Sequence, residues 1–397
     1  MTLKLNPNMA RTFAPPVMEA RRWLENATFT PERPLLNISQ AAPVQPPPLA
    51  LRQALAEAAL NQPQAHLYGP VLGMAELRTQ IATRWSLAYQ GQVNADQVAI
   101  TQGCNQAFTA VLSCLTQAGD EIILPTPWYF NHKMFLDMSN VTAVPLAVGA
   151  EMVPLASDCA KLITQRTKAI VLVTPNNPTG AEYPAQTLRA FADLAKRHKI
   201  ALVVDETYRD FDSRTGMPHE LFTDPDWPDY FVQLYSFSKA YRLTGHRVGA
   251  IVASTALLAQ VEKYLDSVAI CPSQLGQIAA LWGMQNLDDW VATERHEILA
   301  RRAAMINGFK TLPDWTLLGC GAYFAYVEHP FKAPSDQVAK DLVQQAAVLL
   351  LPGTMFHPIQ NTQGTRQLRI AFANIDKSEI TELLARLAAL APTGPKP

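Results

Sequence analysis

The chain has 397 residues, of which 48% are hydrophobic and 17% charged; this is a globular composition, long enough for more than one structural unit and leaving little room for a long disordered tail. Lysine plus arginine (33) nearly balance aspartate plus glutamate (34), so no net field favours nucleic acid or an anionic membrane surface. The five cysteines form no CxxC pair, no histidines stand at HxxxH or HxxEH spacing, and the opening MTLKLNPNMARTF has no apolar run. A disulfide framework, a dedicated metal site, a secretory leader and a membrane span are all unsupported, and the expectation is a cytoplasmic protein that handles a small molecule.

In chain order, the first forty-odd residues are rich in proline and run into Pro43, Pro46, Pro47 and Pro48, which cannot build regular helix or a central strand, so they read as an arm or linker. Apolar residues at helical spacing predict helices over Leu49–Leu60 and Met74–Tyr89, the second from Leu77, Ile81, Trp85 and Ala88, with the turn HLYGPVLG between them. Short apolar runs follow: EIIL at 121–124, AIVLVT at 169–174, IALVVDE at 200–206, FVQLYS at 231–236 and VGAIVA at 248–253. Separated by helices such as Pro184–His198, they predict a largely parallel sheet buried on both faces of an α/β domain. A helical region at about 273–308 then gives way to strands AYFAYVE, AVLLLP and QLRIAFA, interleaved with helices near 335–346 and 377–390, the pattern of a smaller α+β unit. The expected division is an arm at 1–45 that joins the small unit, a large domain at 46–285 and a small C-terminal domain at 286–397.

Chemistry concentrates in the segment 236–249, SFSKAYRLTGHRVG, where Lys239 follows a buried strand among small and apolar residues. An amine there is readily desolvated, which lowers its pKa and favours Schiff-base formation with a carbonyl. Arg247, with the hydroxyls of Ser236 and Ser238, suits a phosphate dianion, although a lysine and an arginine at a strand edge are often plain solvated charges. Upstream, VVDETY ends a strand at Asp205, which serves equally well as a helix cap, and TPNNPTG sets Asn177 in a proline-bounded turn. TQGCNQAFTAVLSCL reads as a strand end, a glycine turn and the first turns of a helix, whose exposed amides bind phosphate. In QLRIAFA, Leu368, Ile370 and Phe372 share one face and Arg369 projects from the other, where it is either solvated or functional.

SFSKAYRLTGHRVG closely resembles the lysine signature of class I/II aminotransferases, fold type I of the pyridoxal-phosphate enzymes, and the other motifs follow in family order over roughly residues 30–380. The resemblance implies an α/β fold with a mostly parallel seven-stranded sheet and a smaller domain. It implies pyridoxal 5'-phosphate bound as a Schiff base on Lys239, which also shuttles the proton. The reaction implied is ping-pong transfer of an amino group from an L-amino acid to a 2-oxo acid, in a homodimer with shared active sites. By the same resemblance Asp205 takes the pyridine nitrogen and keeps the ring an electron acceptor, while Tyr208 and Asn177 hydrogen-bond the 3'-oxygen. Cys104, Asn105, Ser236, Ser238 and Arg247 take the phosphate. Tyr129 of PTPWYFNHK, rather than Trp128, stacks on the ring, and His132 orients Asp205 unless it is simply a satisfied structural histidine.

The resemblance further assigns the substrate α-carboxylate to a bidentate pair with Arg369, beside Asn177, and to the loop SQAAP, where Ala41 stands in place of the family's usual glycine. Tyr68 of YGPVLG is implied to reach the phosphate of the neighbouring subunit, and LPGTMF at 351–356 to lie near the substrate. His246 departs from the large aromatic that often precedes Arg247's counterpart. Two other readings stay open: a pyridoxal-phosphate-dependent cysteine-conjugate β-lyase, since the same deprotonated substrate can eliminate a thiol, and a cofactor-binding regulator, for which neither terminus offers a basic helix-turn-helix. Aromatic residues around the expected mouth point to aromatic or other apolar substrates.

Overall fold

The computed structural model describes residues 3–25, 27–149 and 151–390. Seven strands form the large sheet: β1 (Val98–Thr101), β2 (Glu121–Thr126), β3 (Thr142–Ala147), β4 (Thr167–Val173), β5 (Ala201–Asp205), β6 (Phe231–Ser236) and β7 (Gly249–Val252). Their order is β1-β7-β6-β5-β4-β2-β3. Neighbours from β6 to β3 run parallel, and β7 alone is antiparallel to both strands beside it.

The apolar runs are continuous because both faces are covered. On one face Val171, Val203, Val232 and Leu234 pack with Phe108 and Val111 of the helix Cys104–Leu115. The alternate residues Leu172, Leu202, Val204 and Phe231 pack on the other face with Trp85, Tyr89 and Phe191. Each fully buried side chain of this size contributes about 1.5–3 kcal/mol by leaving water. Parallel strands also align their carboxyl ends, so β1, β4, β5 and β6 all finish along one edge, with Val173 in register with Asp205 and Thr101 and Ser236 both in register with Gly249. Open α/β sheets bind ligands along that edge.

A second, antiparallel sheet comprises β8 (Thr316–Gly321), β9 (Phe324–Glu328), β10 (Leu351–Pro352) and β11 (Gln367–Ile370), ordered β10-β11-β9-β8. The proline-rich arm is tied to this part of the chain: Leu36–Asn37 pair in parallel with Val348–Leu349, and Arg386 donates to the carbonyls of Pro34, Ala346 and Ala347. The NPTG turn sits directly on the small sheet. Gly180 has φ +74°, and a Cβ there would lie 2.3 Å from the Gly321 nitrogen.

Several boundaries differ from the sequence expectation. β3 and β8 carry no strong signal because β3 is an edge strand with exposed positions and a proline, and β8 is mostly half-buried with two glycines. AVLLLP is split in two, Val348–Leu349 pairing with the arm and Leu351–Pro352 with β11. The 273–308 region is two helices, Gln274–Asn286 and Asp288–Phe309. QLRIAFA leaves the sheet after Ile370, and Phe372 lies in a 3-10 turn rather than continuing the alternation.

Gly180→Ala is expected to destabilise the protein by about 1–3 kcal/mol, from the positive φ and the backbone collision together. Urea unfolding midpoints measure it, and an unchanged midpoint would show that the turn and the small sheet can separate freely.

Candidate active site

A cavity of about 490 Å³ opens at the carboxyl edge of the large sheet. Its lining includes Ala41, Cys104, Asn105, Tyr129, Asn177 and Asp205, together with Tyr208, Ser236, Ser238, Lys239, Arg247 and Arg369. Residues separated by hundreds of positions thus share one space. Of the residues assigned in the sequence to direct contact with the coenzyme or the α-carboxylate, Tyr68 alone does not line the cavity; it is 80% exposed on the surface beside the exposed Leu67. Trp128 is buried behind the site, where Lys133 Nζ lies 5.6 Å from its ring.

At the floor, Asp205 ends β5 and is 3% exposed. Burial pushes its carboxyl up, but His132 Nε2 at 3.4 Å and the Thr207 amide, donating at 3.0 Å, outweigh that and hold it below the ordinary carboxylate value. His132 is fixed in turn by stacking on Phe108, with centroids 3.8 Å apart and planes 13° from parallel, and by the edge of Tyr129 at 5.0 Å. The result is a permanent anion that water barely reaches.

Lys239 lies in the single helical turn Phe237–Ala240 that follows β6, capped by Ser236, whose hydroxyl accepts the Ser238 amide at 3.2 Å. Its Nζ donates to the Ala41 carbonyl and lies 5.8 Å from the Tyr208 ring centroid. Burial, then the cations Arg247 and Arg369, lower its pKa to about 8, with Asp205 opposing. A fraction of this amine far larger than for an ordinary lysine is therefore neutral and nucleophilic near physiological pH.

One end of the cavity is a cradle for an anion. The helix Cys104–Leu115 starts there with Gly103 as its N-cap at φ +83°. A Cβ on Gly103 would lie 2.2 Å from Arg247 Nη2, and one on Gly249 would lie 2.7 Å from the Cys104 nitrogen. The two glycines let a guanidinium and a strand close on free helix amides, which together favour a phosphate. Arg247 Nη1 donates to the Thr244 carbonyl at 3.0 Å and to Ser238 Oγ at 3.5 Å.

At the other end Arg369, on β11, is 2% exposed. Its Nη1 donates to Asn177 Oδ1 at 3.0 Å and its Nη2 to the Ser39 carbonyl, while its Nε has no partner among the described residues. Phe130, Phe324 and Phe356 surround the guanidinium with centroids 5.1–5.8 Å away. Burial pulls its pKa down to about 10, opposed by Tyr208, Tyr129 and Tyr326. A buried guanidinium with an orphaned N–H is suited to a carboxylate. LPGTMF contributes here through Phe356, whose carbonyl also accepts the Trp128 amide at 2.9 Å. Tyr129 Oη donates to Asn105 Oδ1 at 3.4 Å, and burial raises the pKa of both Tyr129 and Tyr208, keeping them neutral donors.

Behind the cavity lies a buried network that the sequence reading missed. Glu206 points away from Asp205 and accepts from Tyr89 Oη at 2.6 Å and from Gln233 Nε2, with His219 Nε2 at 3.5 Å. Trp85 Nε1 donates to Gln233 Oε1, and the Arg209 guanidinium lies 4.2 Å and 4.8 Å from the centroids of Trp85 and Tyr89. The available signal was Gln233, a lone polar residue inside the apolar run FVQLYS. Tyr326, opposite Arg369 in the β9–β11 ladder, is also buried, with an unpartnered hydroxyl among the described residues. His246 is half-buried, which lowers its pKa.

The family model for aminotransferase class I and II matches residues 33–387. The chain belongs to that family. It is accordingly a pyridoxal 5'-phosphate-dependent transaminase acting on amino acids and 2-oxo acids. This aminotransferase is 34% identical over 301 residues to the arginine–pyruvate transaminase AruH of Pseudomonas aeruginosa, covering 73% of this chain and 75% of the relative. It is 27% identical over 353 residues to the aromatic aminotransferase ISS1 of Arabidopsis thaliana, 86% of each chain. In fold it matches the Thermus thermophilus aspartate aminotransferase with maleate, at TM-score 0.88 and 22% identity over 98% of this chain and 99% of the other. Substrate-bound BacF of Bacillus subtilis also matches, at TM-score 0.88 and 24% identity over 99% and 100%. The coenzyme fits the cavity on the chain's own terms: a glycine-cleared phosphate cradle, a buried carboxylate and a lysine of lowered pKa. Among the described residues no cluster of three or more His, Cys, Asp or Glu could hold a metal ion, and no helix is long and apolar enough to cross a membrane.

His132→Phe retains a ring on Phe108 but removes the partner of Asp205. Because the carboxylate's pKa is lowered in the folded state, its contribution to stability is present above the ordinary carboxylate pKa and is lost as pH falls through the lowered value. The variant should be about 1–3 kcal/mol less stable at pH 7, and the two urea curves should converge in acid. A gap that stays constant with pH would detach His132 from Asp205.

Proposed function

We propose that the protein moves the amino group of an L-amino acid to a 2-oxo acid in two ping-pong half-reactions, with Lys239 as both the anchor of the coenzyme and the proton carrier. The observation that carries the reading is an amine of pKa about 8 in one cavity with a buried anion, a phosphate cradle and an orphaned guanidinium. Bound there, pyridoxal phosphate supplies a conjugated ring that accepts the electron pair left when the substrate Cα loses its proton.

Everything else is done by the chain. Asp205 would keep a proton on the ring nitrogen, since its own lowered pKa keeps it from taking that proton itself. Tyr208 and Asn177 would hydrogen-bond the 3'-oxygen, and Tyr129 would pack against the ring. The amides of Cys104 and Asn105, with Ser236, Ser238 and Arg247, would hold the phosphate. Arg369, Asn177 and the loop at Ala41 take the α-carboxylate, which leaves the substrate's Cα facing the lysine. Lys239 would then take the Cα proton as a base and return it as an acid to C4' of the coenzyme, two bonds from Cα.

Tyr68 is solvent-exposed beside Leu67 and touches nothing in its own cavity; this supports a homodimer in which it completes the partner's phosphate site. Five free cysteines support a reducing, cytoplasmic compartment.

Lys239→Ala should lower turnover by more than about a thousandfold, and borohydride reduction followed by peptide mass spectrometry should place the coenzyme on Lys239. Full activity of the variant, or an adduct elsewhere, would remove the assignment. The products assign the reaction class: a new amino acid and a new 2-oxo acid mean transfer, whereas pyruvate and a thiol from a cysteine conjugate mean elimination. In the coenzyme-free chain only the neutral amine reacts. The rate of coenzyme capture is therefore expected to rise with pH and level off above about 8; a rise continuing to 10.5, the ordinary lysine value, would mean that Lys239 is not desolvated.

A further inference from the structure

Three cations of the cavity end on three consecutive residues of the arm. Arg369 donates to the Ser39 carbonyl, Arg21 Nη2 donates to Gln40 Oε1 at 2.9 Å, and Lys239 donates to the Ala41 carbonyl. Arg21 belongs to the short helix Pro16–Arg22, and Pro15, Pro16, Val17 and Met18 line the cavity with it. The two prolines fix their φ angles and therefore the path by which this helix approaches the rim.

The lining holds four cations, Arg21, Lys239, Arg247 and Arg369, against one carboxylate, Asp205. On the transaminase reading above, on which this inference rests, Arg247 faces the phosphate, Arg369 the α-carboxylate, Lys239 gives its amine to the coenzyme, and Asp205 is matched by the ring nitrogen. Arg21 is left over. It makes no ion pair among the described residues, because Glu19 on its own helix is taken by Arg22 at 2.7 Å. The neutral Gln40 amide orients Arg21 without neutralising it. The phenylalanine rings of the site surround Arg369, so the apolar surface packs the α-carboxylate end while the rim presents a guanidinium.

We propose that Arg21, held by Gln40, determines specificity by receiving a second carboxylate at the far end of the substrate, so that the enzyme uses a dicarboxylic amino acid and its 2-oxo counterpart in one half-reaction. A guanidinium binds a carboxylate through two parallel N–H donors, and it repels a substrate with a cationic side chain. Arg21 and Gln40 are both exposed at the rim, so the effect is moderate and weakens with salt.

The test uses the pyridoxal-phosphate-loaded enzyme and two unreactive acids of equal chain length, glutarate and pentanoate, titrated by calorimetry into wild type and Arg21→Gln. Wild type should bind glutarate about five- to tenfold tighter than pentanoate. Arg21→Gln should erase the difference by weakening glutarate alone, Arg21→Lys should restore part of it, and the wild-type preference should shrink at higher ionic strength. In steady-state assays the variant's KM for 2-oxoglutarate should rise by a similar factor at constant kcat, with the KM for pyruvate moving less than about twofold. Equal affinity of wild type for the two acids, a preference that survives in Arg21→Gln, or equal weakening of both acids would overturn the proposal. Binding does not depend on turnover, so a protein that discriminates between the acids but transfers no amino group would sink the transaminase mechanism and leave Arg21's role standing.

Discussion

A single ionised carboxylate, Asp205, is what allows the cations of this site to converge. Moving a carboxylate out of water costs several kcal/mol even after relaxation, and here the cost is met by His132 and by the Thr207 amide. His132 is itself locked on Phe108, so the anion's pKa rests on an aromatic contact that never reaches the cavity. Burial, then Arg247 and Arg369, lower the proton affinity of the Lys239 amine, while Asp205 restrains the shift. Without the carboxylate the cavity would be a purely positive hole, and the lysine would face only repulsion.

The sheet makes this convergence rigid. Asp205 and Glu206 are consecutive and point to opposite faces, the first into the cavity and the second into the network of Tyr89, Gln233 and His219. The segment that carries Asp205 and Tyr208 is thus held from behind by a hydrogen bond to Glu206, the residue after β5, from Gln233 of β6, the strand that leads to Lys239. Buried polar groups of this kind are costly unless every partner is in place, and when satisfied they favour one arrangement over its neighbours. Asp205 at the floor of the site and Lys239 are therefore positioned by one shared set of contacts.

Much of this was legible in the order of residues, for reasons that can be stated locally. β5 and β6 are buried on both faces and so appear as unbroken apolar runs, and their polar ends, Asp205 and Ser236, mark where the chain meets the cavity. The β2 run was equally clear, but its neighbour β3 was not, because an edge strand with a proline and exposed threonine and alanine has no pattern to distinguish it from a loop. Glu206 escaped because a second acid next to Asp205 reads as a solvated charge until the pleat is known to bury it. Arg21 escaped for a different reason. Its place at the rim depends on the arm folding back, and no periodicity within a seven-residue helix encodes where that helix lands.

The pairing of the arm with the C-terminal part of the chain also bears on how the protein comes to exist. The Ser39 carbonyl and Arg369 are 330 residues apart in sequence, and Leu36–Asn37 have no ladder partner until Val348–Leu349 are present. During synthesis the large sheet can close as soon as β7 has emerged, whereas the loop that receives three cations remains without its seat until β11 follows. Contacts this distant in sequence form late and slowly. The nascent chain is thus a scaffold before it is a catalyst, with an early core and an active-site wall contributed last by the segment made first.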